Sequence, residues 1–149
     1  MRKDYPQWAA KIFALNYVID VDQILRKSEE PVEYPKTGRL RLITVGRYSP
    51  EKGQHLIPAI AQKVKQSGVD FEWYVIAPGS AAQKESIDQE LQKRGVADNV
   101  IVTNGMPNPF PMVKSSDISV QPSSFEGFGL TVSEAMILGA YVVASDIPS

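Results

Sequence analysis

From residue 40 onward, short apolar runs alternate with longer segments in which apolar residues recur every three or four positions. The runs predict β-strands, and the recurring positions predict amphipathic helices between them, because a helix presents such positions on one face. The clearest helical stripe follows the first strand, and Gly68 is expected to end that helix. The predicted strands are Leu40–Gly46, Phe71–Ala77, Asn99–Thr103, Ile118–Gln121 and Tyr141–Ala144.

The first of these helices is predicted to begin directly after the loop that follows the first strand. Ser49 has the short polar side chain that favours an N-cap, and Pro50 suits the first helical position because it lacks an N–H. The other predicted helical segments are a more polar helix that follows Pro78–Ser80 and ends at Gly95, a short turn near Met112–Ser115, and 130–138.

Strands that alternate with helices over segments of this length indicate βαβ units. The predicted fold class is therefore α/β, a Rossmann-like parallel sheet with helices on both faces. Trp73 and Tyr74 lie in a strand and are interpreted as core residues. Ligands bind at the carboxyl ends of the strands in such sheets, so the loops there should form one rim. Those loops are Arg47–Lys52, Pro78–Ser80, Asn104–Pro109 and Ser123–Gly129.

The first 38 residues have a different pattern. Apolar residues from Trp8 to Phe13, including Ala9 and Ile12, predict one short helix, and Asp20–Lys27 predicts another with Val21, Ile24 and Leu25 on its apolar face. Residues 28–38 contain two prolines and several charges, which is typical of a linker. We therefore predict an inter-domain segment over residues 1–38 and a ligand-binding domain over residues 39–149, incomplete at its C-terminus.

The composition limits the possible functions. Sixteen basic residues oppose 17 acidic ones, so no bulk positive charge points to nucleic acid. The absence of cysteine excludes disulfides and thiolate metal sites, and the single histidine, His55, is expected on a surface helix position. No apolar run approaches the roughly 20 residues that span a bilayer, and no signal peptide is recognised. We expect a cytoplasmic protein.

The segment Pro122–Gly139, PSSFEGFGLTVSEAMILG, combines a strand exit, a glycine-bearing loop and the start of a helix. The free backbone N–H groups of a helix that begins near Leu130 favour a phosphate. Gly127 and Gly129 would let the backbone approach a ligand without a Cβ in the way. The segment therefore predicts a phosphate-binding loop.

Two carboxylates stand in this segment with seven residues between them. Helical side chains lean toward the N-terminus, so Glu134 is expected over Thr131, close enough to the phosphate site to accept hydrogen bonds from ribose hydroxyls. Glu126 would take the hydroxyls that lie beyond the phosphates. Two other interpretations stay open: Thr131-x-x-Glu134 is also a capping-box pattern, and Glu126 alone suits a solvated loop charge.

Arg47 and Lys52 flank the first rim loop, and Lys52 is expected in the first turn of the following helix. A cation there opposes the helix dipole unless an anion binds, so the two cations suit a diphosphate. The alternative is a pair of solvated surface cations. The spacing of Gly46 and Gly53 does not fit a P-loop, and the Gly127–Gly129 pair does not fit the dinucleotide fingerprint.

Three segments make the chain similar to the donor-binding, C-terminal half of retaining glycosyltransferases of the GT-B fold, in particular glycosyltransferase family 4. Val45–Gly53 resembles the family's G-R-x-x-x-x-K-G element. Ser115–Met136 resembles the run that carries its E-x7-E motif. Gly139–Ser149 resembles G-x-P-V-V-A-[ST]-x-x-x-G, and Lys11–Ile24 looks like the segment that enters the second domain.

The resemblance implies a role for each matched residue. Arg47 and Lys52 would hold the donor diphosphate and stabilise the leaving group, and Glu126 would contact the donor sugar. Leu130 and Thr131 would offer N–H groups to phosphate, with the ribose on Glu134 and the base on the 103–105 loop. The predicted site therefore comprises the catalytic residues Arg47, Lys52 and Glu126, and the donor-binding residues Gly46, Thr103, Asn104, Gly105, Gly127, Phe128, Gly129, Leu130, Thr131 and Glu134.

The resemblance also implies partners. The donor would be a nucleotide-diphosphate sugar bound without a metal or other cofactor, and a hexose would pass to a polysaccharide or glycolipid acceptor held mainly by an N-terminal domain. The full enzyme would work in the cytoplasm or at the inner face of the membrane, as a peripheral protein. The fragment alone is expected to be inactive. The alternatives are a nucleotide-sugar epimerase or phosphorylase of the same fold, and a non-catalytic nucleotide-sugar-binding module.

Overall fold

The protein is described by a computed structural model that covers residues 3–11, 13, 17–34 and 37–147. Five parallel strands form one sheet in the order β3-β2-β1-β4-β5. The predicted α/β class is confirmed, and the strand bounds differ from prediction by at most one residue. The strands are β1 (Leu40–Val45), β2 (Phe71–Ile76), β3 (Val100–Thr103), β4 (Ile118–Gln121) and β5 (Tyr141–Ala144).

Helices pack on both faces of this sheet, as predicted. Two of them share one hydrophobic cluster with the strands, and three others belong to a second cluster on the opposite face. The first pair is α2 (Ile57–Gln66) and α3 (Ala81–Lys93), and the second group is α1 (Val21–Ser28), α4 (Phe110–Lys114) and α5 (Leu130–Ile137).

The central strands are buried on both sides because successive side chains point to opposite faces. Leu42 joins the cluster under α2 and α3, while its neighbour Ile43 joins the cluster under α5. Trp73 is fully buried, and its indole N–H donates to Thr44 Oγ1 at 3.1 Å. The interpretation of Trp73 as a core residue is confirmed.

The segment after β1 differs from prediction. Two 3₁₀ turns, Pro50–Lys52 and Gln54–Leu56, precede α2, which begins only at Ile57. Between the two turns Gly53 adopts a left-handed φ of 71°, which a continuous right-handed helix cannot include. Ser49 is the N-cap residue and Pro50 the first residue of the first 3₁₀ turn rather than of α2, and the Ser49 side chain makes no capping hydrogen bond. His55 is exposed, in agreement with prediction, but on the second turn rather than on a helix.

The start of α5 tests the capping-box interpretation of Thr131 and Glu134. The N-cap of α5 is Gly129, with φ 69° and no side-chain capping bond, and Thr131 lies inside the helix. The capping-box interpretation of Thr131 and Glu134 is therefore wrong. The predicted helix start near Leu130 is confirmed, and with it the set of backbone N–H groups that no side chain caps.

The N-terminal segment carries less regular structure than predicted. A 3₁₀ helix, Pro6–Lys11, replaces the predicted amphipathic helix, and Trp8 and Phe13 are exposed, while Ile12 lies outside the described residues. Helix α1 forms as predicted, with Asp20 as its N-cap. Only Ile24 of its predicted apolar face is buried. The division into residues 1–38 and 39–149 stays a prediction.

Candidate functional site

The loops at the carboxyl ends of the strands are joined by hydrogen bonds. Tyr48 N–H donates to Pro78 O at 3.0 Å, and Ser124 N–H donates to Glu51 O at 2.8 Å. Gly79 N–H donates to the Asn104 side chain at 3.3 Å. The four loops therefore form one connected rim, as predicted from the parallel sheet.

The first rim loop packs directly on the end of β4. A Cβ on Gly53 would lie 2.0 Å from Pro122 O, so only glycine allows this approach. The fully buried side chain of Gln54 holds this loop by two hydrogen bonds to its backbone. Its Nε2 donates to Arg47 O at 2.8 Å, and its Oε1 accepts from Ser49 N–H at 3.3 Å. The sequence analysis assigned no role to Gln54, so these hydrogen bonds were not predicted.

The close approach brings a cation and an acid together. Lys52 Nζ lies 2.7 Å from both carboxylate oxygens of Glu126, and Ser123 Oγ donates to Glu126 Oε1 at 2.8 Å. Burial tends to raise the pKa of Glu126, but the hydrogen bonds from Lys52 and Ser123 outweigh it, so the pKa lies below its usual value. Glu126 is therefore a fixed, ionised group, and the interpretation as a solvated loop charge is wrong.

Lys52 was predicted to lie in the first turn of a helix and to oppose its dipole, and this prediction is also wrong. Lys52 lies in the 3₁₀ turn before Gly53, ahead of the start of α2, and the carboxylate of Glu126 balances its charge. An ammonium group has three N–H donors. Two of them are used by Glu126, so one remains for an anion.

One concavity of about 460 Å³ lies where β1, β2 and β3 end. It is lined by the predicted catalytic residue Arg47 and by three predicted donor-binding residues, Gly46, Asn104 and Gly105. Gly105 has φ 90°, and a Cβ there would press on Pro78 at 3.1 Å. Thr103 is the last residue of β3, and its hydroxyl donates back to Val75 O at 3.5 Å.

A second concavity of about 170 Å³ lies between α5 and the start of α1. Leu130 and Glu134 line it together with Tyr17 and Asp20. Burial raises the pKa of Glu134, and its carboxylate has no hydrogen bond to any residue that the structure describes. Thr131, in the first turn of α5, is half-buried.

A third concavity of about 250 Å³ lies on the β5 side of the Lys52–Glu126 pair. Glu126, Gly127, Phe128 and Gly129 line it, with the start of α5 and the end of β5. Phe128 is 57% exposed, and its ring centroid lies 5.2 Å from that of Tyr17. Ten of the 13 predicted site residues thus line three separate concavities along one rim.

Sequence reasoning missed two residues of this third concavity, Gln121 and Ser123. Both are buried polar residues at the end of β4, and Ser123 holds Glu126. The signal was a polar side chain at the last position of the strand, followed by a serine three residues before Glu126.

Within the described part of the chain, no group of three or more histidine, aspartate or glutamate side chains is placed to hold a metal ion. In the same part, no helix is both long and apolar enough to cross a bilayer.

Residues 26–149 match the family described as Glycosyl transferases group 1. The chain belongs to this family. The resemblance predicted from the three motifs is thereby confirmed at the level of the family, and the domain carries the α/β fold that its structural neighbours share.

Among curated proteins, the chain is similar to the alpha-D-kanosaminyltransferase of Streptomyces kanamyceticus, at 26% identity over 99% of this chain and 39% of that protein. WaaG, a glycosyltransferase of lipopolysaccharide biosynthesis, matches 87% of this chain and 34% of its own, at 18% identity and a TM-score of 0.67. Anabaena HepE, solved with UDP, matches 73% of this chain and 30% of its own, at 26% identity and a TM-score of 0.62. The chain spans 24–39% of the length of the first three curated relatives.

Proposed function

We propose that this chain is the nucleotide-diphosphate-sugar-binding part of a retaining glycosyltransferase, which transfers a hexose to a polysaccharide or glycolipid acceptor. The observation that carries the proposal is the contact of Lys52 with Glu126 beside the uncapped start of α5. A cation, an oriented acid and free helix N–H groups suit a diphosphate joined to a polyhydroxylated group. Membership in a family of glycosyltransferases supports the same conclusion.

The diphosphate is proposed to lie between the first rim loop and α5. Arg47 and the third N–H donor of Lys52 would supply the positive charge, and the backbone N–H groups of Leu130 and Thr131 would complete the site. These groups would do the charge neutralisation that a divalent metal ion does elsewhere. We therefore propose that donor binding needs no metal.

The other parts of the donor follow from this position. The base is proposed to occupy the concavity of Arg47, Asn104 and Gly105, and the ribose hydroxyls to meet Glu134, whose carboxylate has no partner in the described chain. Glu126 would accept from a sugar hydroxyl. Each carboxylate oxygen has two lone pairs. Among the described residues, Oε2 accepts a hydrogen bond only from Lys52, so it can accept another from the sugar.

In the proposed transfer, the bond between the sugar C1 and the β-phosphate oxygen breaks, and its electron pair stays on the diphosphate. The acceptor hydroxyl oxygen forms the new bond to C1 on the same face, and its proton passes to the departing phosphate oxygen. Arg47 and Lys52 lower the barrier because they bind the charge that develops on the leaving group. The acceptor is proposed to bind chiefly on an N-terminal domain, at the cytoplasmic side of a membrane.

Titration calorimetry of this chain with UDP, GDP and ADP, and with their glucose derivatives, tests the proposal. UDP is the first choice because HepE was solved with it. We expect one nucleotide to bind, with the same affinity in excess EDTA. Binding that disappears in EDTA would contradict the metal-independent site, and no binding of any nucleotide would overturn the proposed function.

A further inference from the structure

A buried carboxamide closes the bottom of the third concavity. Gln121 is the last residue of β4 and is only 4% exposed. Its backbone O accepts from Ser145 N–H at 3.1 Å, which ties the end of β4 to the chain that leaves β5. Its side chain lines the same concavity as Glu126, Gly127 and Gly129.

The amide nitrogen of this side chain, Nε2, is buried and lacks a hydrogen-bond partner among the described residues. Most buried polar atoms in native proteins are paired, since leaving one unpaired costs stability. An unpaired buried amide at the wall of a concavity is therefore best explained by a ligand that supplies the partner.

The surroundings restrict the chemistry of that ligand. An anion would be repelled by the ionised carboxylate of Glu126, which lines the same space. A purely apolar group would leave the amide of Gln121 unpaired. A carboxamide offers both a donor and an acceptor, and so do neighbouring hydroxyl groups of a sugar. A neutral polyhydroxylated group satisfies both Gln121 and Glu126.

The position along the sheet agrees with this chemistry. The strand order places β4 between β1 and β5, so the third concavity and the concavity of Arg47 and Asn104 lie on opposite sides of the Lys52–Glu126 pair. A donor bound across the rim, with its diphosphate at Lys52, would place its base in the concavity of Arg47 and Asn104 and its sugar in the third concavity.

We infer that Gln121 is a specificity-determining residue that hydrogen-bonds to hydroxyl groups of the donor sugar. The inference rests on the proposed function, which it extends to the recognition of the sugar. Gln121 carries no charge and does not face the phosphates, so it discriminates between sugars and leaves the affinity for the bare nucleotide unchanged.

Gln121→Met tests this inference because methionine keeps the length of the side chain and removes both the donor and the acceptor. The measured quantity is the ratio of the dissociation constants of a nucleotide and its glucose derivative, for UDP, GDP or ADP, whichever binds. We expect the wild-type ratio to favour the sugar nucleotide, and the ratio to fall about tenfold in the variant, which corresponds to about 1.4 kcal/mol. The discrimination between glucose and galactose derivatives should fall with it.

The melting temperature separates this role from a structural one. Removing an unpaired buried amide should leave the melting temperature unchanged or raise it. If the methionine variant does not fold, Gln121→Asn takes its place. It shortens the side chain by one methylene, and the ratio of dissociation constants should fall in the same way. Gln92→Met on the exposed side of α3 is the matched control and should behave as wild type.

An unchanged ratio in folded Gln121→Met or Gln121→Asn would overturn the inference while leaving the proposed function intact. A wild-type protein that binds the sugar nucleotide no more tightly than the nucleotide would overturn it as well. Failure of the proposed function looks different, because then no nucleotide binds to the wild-type chain.

Discussion

Lys52 Nζ contacts both carboxylate oxygens of Glu126 at 2.7 Å, although the two residues are 74 positions apart in the sequence. The contact arises because β4 pairs directly with β1, so that the loops that follow these two strands leave the sheet side by side. The approach of Gly53 to Pro122 then removes the remaining gap. The topology of the sheet, together with one glycine, thus assembles the charged part of the site.

Lys52→Ala should weaken binding of the nucleotide diphosphate by about 10- to 100-fold, because a hydrogen bond to a charged group contributes about 1.5–3 kcal/mol. The stability cost should be small, at most about 1 kcal/mol, since both partners of the Glu126 ion pair are partly exposed. Calorimetric titration and urea unfolding measure the two effects.

Lys63→Ala provides the comparison, since it removes an exposed lysine of α2. Equal nucleotide affinity in the two variants would show that Lys52 does not touch the diphosphate.

Gly53→Ala should destabilise the protein more than Gly68→Ala. Both glycines have left-handed φ values, 71° and 80°, which cost an alanine about 1–2 kcal/mol. A Cβ at Gly68 meets open space, whereas a Cβ at Gly53 would overlap Pro122 O. We expect Gly68→Ala to lower the melting temperature by about 3–8 °C and Gly53→Ala by more than about 10 °C.

The same pair of variants separates stability from site assembly. Where Gly53→Ala still folds, the first rim loop must move away from β4, and nucleotide binding should weaken as in Lys52→Ala. Gly68→Ala should bind normally. Melting curves that coincide for the two variants would contradict the close packing of Gly53 on Pro122.

The sequence predicted most of the scaffold because alternating apolar runs and amphipathic stripes depend on local periodicity. It also predicted that Lys52 and Glu126 lie at the same edge of the sheet, because the carboxyl ends of all parallel strands meet at that edge. It did not predict their direct contact, which depends on the pairing of β1 with β4 and on Gly53. Gln54 was missed for the same reason: its partners are backbone atoms of a loop whose path is set by a left-handed glycine.

The acid Glu126 should make stability depend on pH below neutrality. Its pKa is lowered in the folded state, so its contribution is complete above the unfolded-state pKa of about 4.3 and is lost as the pH falls through the folded-state pKa. The wild type should therefore exceed Glu126→Gln in unfolding free energy at pH 7. The difference should shrink below about pH 4.3.

Urea unfolding of both proteins between pH 3 and pH 8 measures this difference. Ser123→Ala removes only the hydrogen bond to Oε1 and should reduce the pH-dependent difference without abolishing it. A difference that stays constant over the whole range would mean that the pKa of Glu126 is the same in the folded and unfolded states.

Glu134→Gln should weaken nucleoside binding while stabilising the unliganded domain. Burial raises the pKa of Glu134, so its ionised form opposes folding above the folded-state pKa, and this cost disappears below about pH 4.3. Glutamine has nearly the same shape and no charge. The melting temperature at pH 7 should therefore be unchanged or higher, and the difference from wild type should vanish in acid.

The binding side of this prediction compares nucleosides with inorganic diphosphate. Uridine or its counterpart should bind the variant more weakly, because the carboxylate that would accept from both ribose hydroxyls is replaced by an amide with one acceptor oxygen. Inorganic diphosphate, which is proposed to bind Arg47 and Lys52, should bind as before. A variant with unchanged nucleoside affinity and a melting temperature lower by several degrees would instead assign Glu134 to the stability of the domain.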